Sequence, residues 1–203
     1  MEKKKTRILA VGDIHGDTRL VSRLAKKAQK ENIDLVILAG DLTSHSETPN
    51  LIKPFKEANK KVLLIPGNWD SFATTDFLAE IYGVRNIHGY SVKYDDIGFF
   101  GAGGAEGPGE GRITDEEIFQ TLVKAHSGLK DVKKKVMITH MHPANSKSEF
   151  SGVPGSSSIE KAIKKFKPDF LLHSHIHEAG GVEEKIGKTR VINVSRKEKI
   201  FEI

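Results

Sequence analysis

Short apolar runs alternate with longer amphipathic segments in the N-terminal part of the chain. The apolar runs are rich in aliphatic residues and predict buried strands over 6–11, 35–39 and 61–65. The segments after them predict helices over 17–31, 49–59 and 72–82. In the first of these helices, Leu20, Val21, Leu24 and Ala28 recur at the spacing of one helix face. Strands separated by helices indicate right-handed crossovers and a largely parallel sheet.

The same alternation returns after an irregular stretch in the middle of the chain. A hairpin is predicted over 90–100, and the glycine-rich run over 101–111 favours no regular element. Later elements are helices over 114–125 and 157–166, strands over 136–139 and 170–173, and closing antiparallel strands over 182–186, 190–194 and 199–203. No linker divides the chain. The prediction is therefore one α/β domain over 1–203, built as a layered sheet structure with helices on its outer faces.

Composition and charge narrow the function classes. The 203 residues carry a net charge of +5 and a pI near 9.2, which suits an anionic partner. The lysine-rich stretches fit solvated helix faces better than a nucleic-acid interface, and no nucleic-acid motif accompanies them. The absence of cysteine excludes disulfides, thiolate metal sites and cysteine nucleophiles. With apolar runs too short for a bilayer and no signal-peptide pattern, we expect a cytoplasmic protein without a membrane partner.

Polar side chains follow the predicted strands at the points where the strands end. Glycine precedes the first three of them, in Gly-Asp, Gly-Asp and Gly-Asn pairs. The residues at these ends are Asp13, His15, Asp41, Asn68, His140, His173, His175 and His177. In an α/β sheet, ligands bind in the crevice beyond the carboxyl ends of the strands. We therefore expect these side chains to converge on one crevice.

The distribution of histidine suggests what that crevice binds. Of the nine histidines, five fall at two late strand ends, at positions 140, 142, 173, 175 and 177. Carboxylates and imidazoles gathered in one crevice would be poorly satisfied without cations. A sulfur-free set of imidazole, carboxylate and amide ligands indicates Mn, Fe, Zn, Ni or Co rather than Ca. His45, His88 and His126 lie outside this pattern and are interpreted as structural.

The order of these residues resembles that of a known family. The blocks are D-x-H-G at 13–16, G-D at 40–41, G-N-x-D at 67–70, the strand-end His140 and H-x-H at 175–177. This ordered set resembles the calcineurin-like metallophosphoesterase superfamily. The short chain and its G-N-x-D block are most similar to the compact, Icc-related prokaryotic phosphoesterases. The resemblance implies an α/β/β/α sandwich.

The resemblance also implies two divalent metal ions, with manganese as the expected metal. One ion would be held by Asp13, His15, Asp41 and His177, and the other by Asp41, Asn68, His140 and His175. Such a pair activates water for attack on phosphorus and neutralises charge on the phosphoryl oxygens. Asn68 and His140 are then catalytic as well as metal-binding. Asp70 is expected to orient a neighbouring group through a hydrogen bond.

Two positions depart from the pattern of the family. Many members carry histidine where this chain has Trp69, and a tryptophan cannot transfer a proton at neutral pH. His142 is our candidate for the missing acid, and His15 or His173 are alternatives. Ser174 replaces the glycine that usually precedes the final H-x-H, which we expect to be a mild steric change that leaves the ligands untouched. Arg112, after the glycine-rich run, is a candidate phosphate contact.

Three functions remain open at this stage. The leading hypothesis is a phosphoesterase acting on small phosphodiesters or activated monoesters. A diesterase is favoured because Trp69 cannot donate a proton to a poor leaving group. The alternative is a non-catalytic metal-binding scaffold of the same fold that recognises protein partners. The third hypothesis, a nuclease, is supported only by the net positive charge of the chain. The Gly187-Lys188-Thr189 stretch is not a P-loop, because the required upstream glycine and the strand-to-helix context are missing.

Overall fold

The computed structural model describes residues 5–43 and 50–203, and its elements follow the predicted alternation. The strands are β1 (Arg7–Val11), β2 (Leu35–Ala39), β3 (Lys61–Ile65), β4 (Arg85–Asn86), β5 (Ser91–Tyr94), β6 (Ile97–Ala102), β7 (Lys134–Thr139), β8 (Phe170–His173), β9 (Glu183–Ile186), β10 (Thr189–Asn193) and β11 (Lys199–Glu202). The helices are α1 (Thr18–Lys30), α2 (Lys53–Glu57), α3 (Phe72–Tyr82), α4 (Asp115–Ser127) and α5 (Ser157–Phe166), and two short 3₁₀ helices span Lys147–Ser151 and His177–Ala179.

Two sheets pack face to face between two layers of helices. The first sheet has the order β11-β1-β2-β3-β4 and the second β5-β6-β7-β8-β10-β9. Alternation along β1 explains the layering, because Ile8 packs between the sheets whereas Leu9 packs against α1 to α3. Likewise Val136 faces the first sheet and Met137 packs against α4 and α5. The predicted α/β/β/α sandwich is confirmed.

The structure corrects several details of the predicted elements. The strand over 190–194 was predicted only as a closing antiparallel strand, but β10 also pairs in parallel with β8, which extends the parallel core of the second sheet. The short β4 was not predicted. Two residues of the glycine-rich run belong to β6. The helix predicted over 49–59 is observed as α2 alone; position 49 and His45 lie outside the described residues.

The N-termini of α4 and α5 are joined through one carboxylate. A capping box of Thr114 and Glu117 begins α4. Ser156 caps α5, and its hydroxyl also donates to Asp115 at the start of α4. The hydroxyl of Ser157 donates to the same carboxylate at 2.7 Å and the backbone N–H of Ser158 at 3.1 Å. A negative charge shared by two helix N-termini is favourable, because both present unpaired N–H groups.

Replacing this carboxylate should lower the stability in a pH-dependent way. Asp115→Asn is expected to lower the free energy of unfolding by about 1–2 kcal/mol at neutral pH, the cost of weakened charge-assisted hydrogen bonds. Burial tends to raise the pKa of Asp115, but the three serines lower it below its ordinary value of 3.8. The stabilisation is therefore present above that value and is lost as the pH falls through the lowered pKa. Urea unfolding at pH 7 and pH 3 checks this; an equal difference between wild type and variant at both pH values contradicts it.

Among the described residues, no helix is both long and apolar enough to cross a membrane.

Candidate metal centre

The predicted site residues meet where strands of both sheets end. β1, β2 and β3 run parallel in the first sheet and lead to Asp13, Asp41 and Asn68. β7 and β8 run parallel in the second sheet and lead to His140 and His175. The two sheets thus bring acidic and amide side chains from one layer against imidazoles from the other. Sequence-distant residues come together because the strand ends share one end of the sandwich.

Asp41 lies at the middle of this cluster. Its Oδ2 is 3.6 Å from Nε2 of His15 and 3.5 Å from Nε2 of His140. Its Oδ1 accepts a hydrogen bond of 2.9 Å from the backbone N–H of Trp69, which fixes the rotation of the carboxylate. One carboxylate oxygen therefore faces imidazole nitrogens on two sides.

The side-chain amide of Asn68 is oriented by a loop. Its Nδ2 donates to the backbone carbonyl of Pro108 in the glycine-rich run at 3.0 Å. The amide oxygen consequently points into the cluster, 3.0 Å from Nε2 of His140 and 3.0 Å from Nδ1 of His175. An amide oxygen placed this way can ligate a cation without adding charge.

One of the two carboxylate oxygens of Asp13 receives no hydrogen bond from the described residues. Its Oδ2 accepts from the backbone N–H of His175 at 2.9 Å and from the hydroxyl of Ser195. Its Oδ1 is buried, and no hydrogen-bond partner among the described residues reaches it. Nε2 of His177 lies 3.8 Å from Oδ2. A buried, unpaired carboxylate oxygen is costly unless a cation compensates it.

Ring nitrogens of neighbouring imidazoles lie close enough together to bind the same cation. Nε2 of His15 and Nε2 of His177 are 3.3 Å apart, and Nδ1 of His175 is 3.3 Å from Nε2 of His140. Nδ1 of His140 lies 3.0 Å from the carbonyl of Ala39, which accepts the Nδ1 proton, so Nε2 is the ring nitrogen that faces the cluster. Ligand atoms fall into two overlapping groups, Asp13 with His15 and His177, and Asp13 with Asp41 and His140.

Burial and the neighbouring charges shift the pKa values of the carboxylates and imidazoles in the cluster. Burial raises the pKa of Asp13. For Asp41, burial is the largest single influence and raises the pKa, but His140, the backbone N–H of Trp69 and His15 together outweigh it, so the pKa is lowered. For His140, burial is outweighed by Asp41 and Asp13, which raise the pKa to about 9. Burial and the neighbouring His140 lower the pKa of His175 to about 3. Carboxylates and imidazoles this close satisfy each other incompletely, so the residues fit divalent cations.

The backbone at the cluster adopts uncommon conformations. Asp13, His15, Asp41 and His175 all have positive φ, between 45° and 72°. Non-glycine residues rarely occupy this region, and their concentration at one place is typical of functional sites. The turns aim the side chains back across the strand ends.

A model of the calcineurin-like phosphoesterase family matches residues 6–179. The chain belongs to the calcineurin-like phosphoesterase family. No curated protein matches it significantly.

Solved structures share the fold of this family member over nearly its whole length. TT1561 of Thermus thermophilus is 19% identical with a TM-score of 0.77, covering 98% of this chain and 99% of that one. A dimetal phosphatase from Danio rerio is 10% identical with a TM-score of 0.65, covering 94% and 87%. A novel archaeal phosphodiesterase is 20% identical with a TM-score of 0.57, covering 97% and 98%. At these identities the likeness concerns the fold.

Asp70, the last residue of the G-N-x-D block in this calcineurin-like phosphoesterase, holds two site loops together. It is fully buried and accepts hydrogen bonds from the backbone N–H groups of Leu42 at 3.0 Å, Thr43 at 2.8 Å and Gly67 at 2.8 Å. The loops after β2 and β3 carry Asp41 and Asn68, so Asp70 fixes their relative position. These contacts are hydrogen bonds to backbone groups next to Asp41 and Asn68, the kind of contact that the predicted orienting role requires.

Trp69 and two of the predicted proton donors, His142 and His173, occupy different environments. The indole of Trp69 is 39% exposed at the rim. Nε2 of His142 donates to the carbonyl of Val153 at 3.2 Å, and its Nδ1 is buried without a hydrogen-bond partner among the described residues. His173 is fully buried, and burial followed by the charge of His142 lowers its pKa to about 3. The acid role of His142 stays a prediction, because its one outward N–H is already engaged. Arg112 is exposed beside Ala105, and its role as a phosphate contact is likewise untested.

The histidines interpreted as structural and described here are placed as expected. Nδ1 of His88 accepts from the backbone N–H of Gly103 at 3.0 Å. His126 stacks on Phe166 with ring centroids 4.3 Å apart. Neither belongs to the cluster.

Ser174 corrects one expectation. It was expected to leave the ligands untouched, but its hydroxyl donates to the carbonyl of Ala39 and lies 3.0 Å from Nδ1 of His140. Ser174 therefore shares the acceptor that orients His140. Ser174 also lies against Gly12, where an added Cβ would overlap the serine side chain. The serine therefore fills space that would stay open if position 174 were glycine, as it usually is in the family.

Sequence reasoning missed Ser195 and the carbonyl of Pro108, which orient Asp13 and Asn68. Ser195 follows the end of β10, so the strand-end rule makes it a candidate, but its contact with Asp13 depends on the pairing of β11 with β1. Pro108 acts through its backbone, which no side-chain pattern reveals.

Proposed function

We propose that this calcineurin-like phosphoesterase hydrolyses small phosphodiesters, using two divalent metal ions with Asp41 between them. The observation that carries the proposal is the position of Asp41 Oδ2, which lies within 3.6 Å of imidazole nitrogens from both sides of the cluster. Asp13, His15 and His177 would complete the ligands on one side, and Asn68, His140 and His175 on the other. When bound, two such ions would activate water and neutralise charge on the phosphoryl group.

The residues of the chain would divide the remaining work. The carbonyl of Ala39 keeps the Nε2 lone pair of His140 facing the cluster, and Pro108 keeps the amide oxygen of Asn68 facing it. Asp70 holds the loops of Asp41 and Asn68 in register. Pre-set ligands of this kind reduce the reorganisation needed when a phosphoryl group binds. The nitrogen and oxygen donors suit manganese, our proposed metal, with Fe, Zn, Ni and Co as competitors in the same assay.

We base the preference for diesters on the lack of a side chain at position 69 that could protonate the leaving group. Trp69 stands where an imidazole would protonate the leaving group, and the Nε2–H of His142 is bound to Val153. Without that proton, substrates with good leaving groups should react best. The archaeal phosphodiesterase and the dimetal phosphatase that share the fold support a phosphoester substrate in general terms.

A reconstitution assay tests the proposal. Protein stripped with EDTA and reloaded with manganese should hydrolyse bis(p-nitrophenyl) phosphate faster than p-nitrophenyl phosphate. Asn68→Ala should lower kcat/KM by about a hundredfold, because it removes a ligand and a positioned dipole. Asn86→Ala, which removes a side-chain amide on β4 outside the cluster, is the matched control. Elemental analysis gives the metal content of each protein. Metal-loaded wild type that hydrolyses neither substrate counts against the proposal.

Removing the hydroxyl of Ser195 should weaken metal binding without unfolding the protein. Ser195→Ala takes away a hydrogen bond that orients Asp13, and losses of this kind lower metal affinity by about tenfold. Calorimetric titration of manganese into stripped protein measures the change. Ser127→Ala, which removes an exposed hydroxyl on α4, serves as control. Equal affinities for Ser195→Ala and wild type would show that Asp13 needs no such support.

The alternative function is a metal-binding scaffold that recognises protein partners. The exposed indole of Trp69 at the rim is the feature that favours it, since exposed tryptophan is frequent at interfaces. This alternative predicts that the metal-loaded protein binds a partner and turns over no phosphoester, and that Trp69→Ala abolishes the binding. The phosphodiesterase proposal predicts turnover in both proteins.

A further inference from the structure

An arginine with no assigned role, Arg196, lies beside the candidate metal centre in the turn between β10 and β11. The backbone N–H of Arg196 donates to the carbonyl of Gly12 at 3.0 Å, and Gly12 also forms a bridge with Ser195. Ser195 in turn donates to Asp13. This turn is therefore fixed to the loop that carries Asp13 and His15.

The conformation of Arg196 is unusual for its residue type. Its φ is 50°, in the left-handed region. Twelve non-glycine residues of the described chain have positive φ, and all except Arg196 and Lys167 are Asn, Asp or His. Lys167 ends a helix, where this conformation is common. At Arg196 the chain instead holds an arginine in a costly conformation next to the site, which suggests that the side chain itself is needed.

The Arg196 side chain is exposed, and none of the ion pairs found among the described residues includes it. The nearest acid along the turn, Glu198, is engaged by α1: its carboxylate lies 3.0 Å from Nζ of Lys27 and 3.6 Å from Nη2 of Arg23. The positive charge of Arg196 is thus not cancelled by its own turn. An exposed guanidinium suits a phosphate group, which it can bind through two parallel hydrogen bonds.

The surface beyond Arg196 is also basic. α1 starts three residues after His15 and presents exposed Arg19, Arg23 and Lys26. These side chains, with Thr18 and Ser22, line a shallow open depression on α1 of about 490 Å³, the basic cleft, and no acidic residue is among its lining residues. The contact of Arg23 with Glu198 connects this cleft to the turn of Arg196. Exposed basic side chains are therefore present both on α1 and in the turn of Arg196, where the carboxylate of Glu198 is paired with Lys27 and Arg23.

We propose that Arg196 binds a second phosphate group of the substrate, next to the one that is hydrolysed, with the basic cleft of α1 beyond it. The inference rests on the proposed phosphodiesterase function and narrows its substrate class to small molecules that carry at least one further phosphate. A single-phosphate ester would leave Arg196 without a ligand. Bound between the metal centre and α1, the second phosphate selects substrates by charge rather than by base or sugar.

Two nucleotide esters that differ by one phosphate test this. They are thymidine 5′-(p-nitrophenyl phosphate) and its 3′-phosphorylated analogue, and each releases p-nitrophenol. Wild type should have a kcat/KM about tenfold higher for the analogue, the effect of one charge-assisted contact. Arg196→Asn should remove this preference and leave the simpler ester unaffected. Asparagine is chosen because it tolerates positive φ. Arg196→Lys should restore part of the preference, and Arg85→Asn, at an exposed arginine of β4, should keep all of it.

A binding measurement separates this inference from the proposed function. Calorimetry on the same proteins should give an affinity for thymidine 3′,5′-bisphosphate about tenfold above that for thymidine 5′-phosphate, and Arg196→Asn should remove the difference. If wild type hydrolyses neither ester, the phosphodiesterase proposal fails, while the binding difference still decides the role of Arg196. A preference unchanged in Arg196→Asn overturns the inference. An equal loss for both esters also overturns it, because it indicates that the residue only supports the Asp13 loop.

Discussion

Asp41→Asn is expected to lower kcat/KM for bis(p-nitrophenyl) phosphate by about a thousandfold or more while leaving the protein folded. The carboxylate faces both sides of the cluster, so its loss affects both proposed metal positions, and metal-derived stabilisation of several kcal/mol corresponds to such factors. Asparagine suits the left-handed backbone, with φ of 49°, and its oxygen can still accept from the N–H of Trp69. The variant therefore changes charge and little else.

Thermal unfolding provides the second measurement for Asp41→Asn. A metal that binds only the native state raises Tm, and the rise follows the affinity. Manganese should raise Tm clearly in wild type and much less in the variant. Asp76→Asn, which changes an exposed carboxylate on α3, should behave like wild type in both assays. Full activity in Asp41→Asn, or an undiminished manganese effect on Tm, would refute the bridging position of Asp41.

The sequence alone could predict the strand-end residues because two independent patterns coincide there. Apolar runs of strand length locate β1, β2 and β3, and a glycine followed by a polar residue marks the end of each. The rule that strand ends of a parallel sheet share one edge then brings Asp13, Asp41 and Asn68 together without coordinates. In the structure, Asn68 and Asp41 both lie within 3.5 Å of His140, as this rule requires.

The supporting contacts could not be predicted because they depend on which strands are neighbours. Ser195 reaches Asp13 only because β11 lies next to β1 and the preceding turn crosses Gly12. Pro108 reaches Asn68 because the glycine-rich run folds back over the loop after β3, where Gly109 and Gly111 approach its backbone closely. Local patterns carry no record of such approaches. For the same reason, Ser174 looked like a neutral replacement until its contact with His140 was visible.

Gly40→Ala is expected to cause the largest loss of stability of any change considered, about 2–5 kcal/mol. Gly40 has φ of 91°, which costs an alanine about 1–2 kcal/mol. A Cβ here would overlap Nδ1 of His140 and lie 2.8 Å from Cα of Gly67, in a region with no room to relax, which adds about 1–3 kcal/mol. The fully buried His140 would have to move from the carbonyl of Ala39. We therefore also expect activity to fall by about a hundredfold.

Gly187→Ala is the matched control, because it separates backbone strain from overlap. Gly187 also has positive φ, 61°, but a Cβ there meets no atom within 4 Å. It should cost about 1–2 kcal/mol, from backbone strain alone, and leave kcat/KM unchanged. Urea unfolding and the diester assay on both variants distinguish the two terms. If Gly40→Ala is no less stable than Gly187→Ala and keeps its activity, the packing of Gly40 against His140 cannot be what positions the imidazole. A larger loss in Gly40→Ala on both measures means that this close approach sets the geometry of the metal centre.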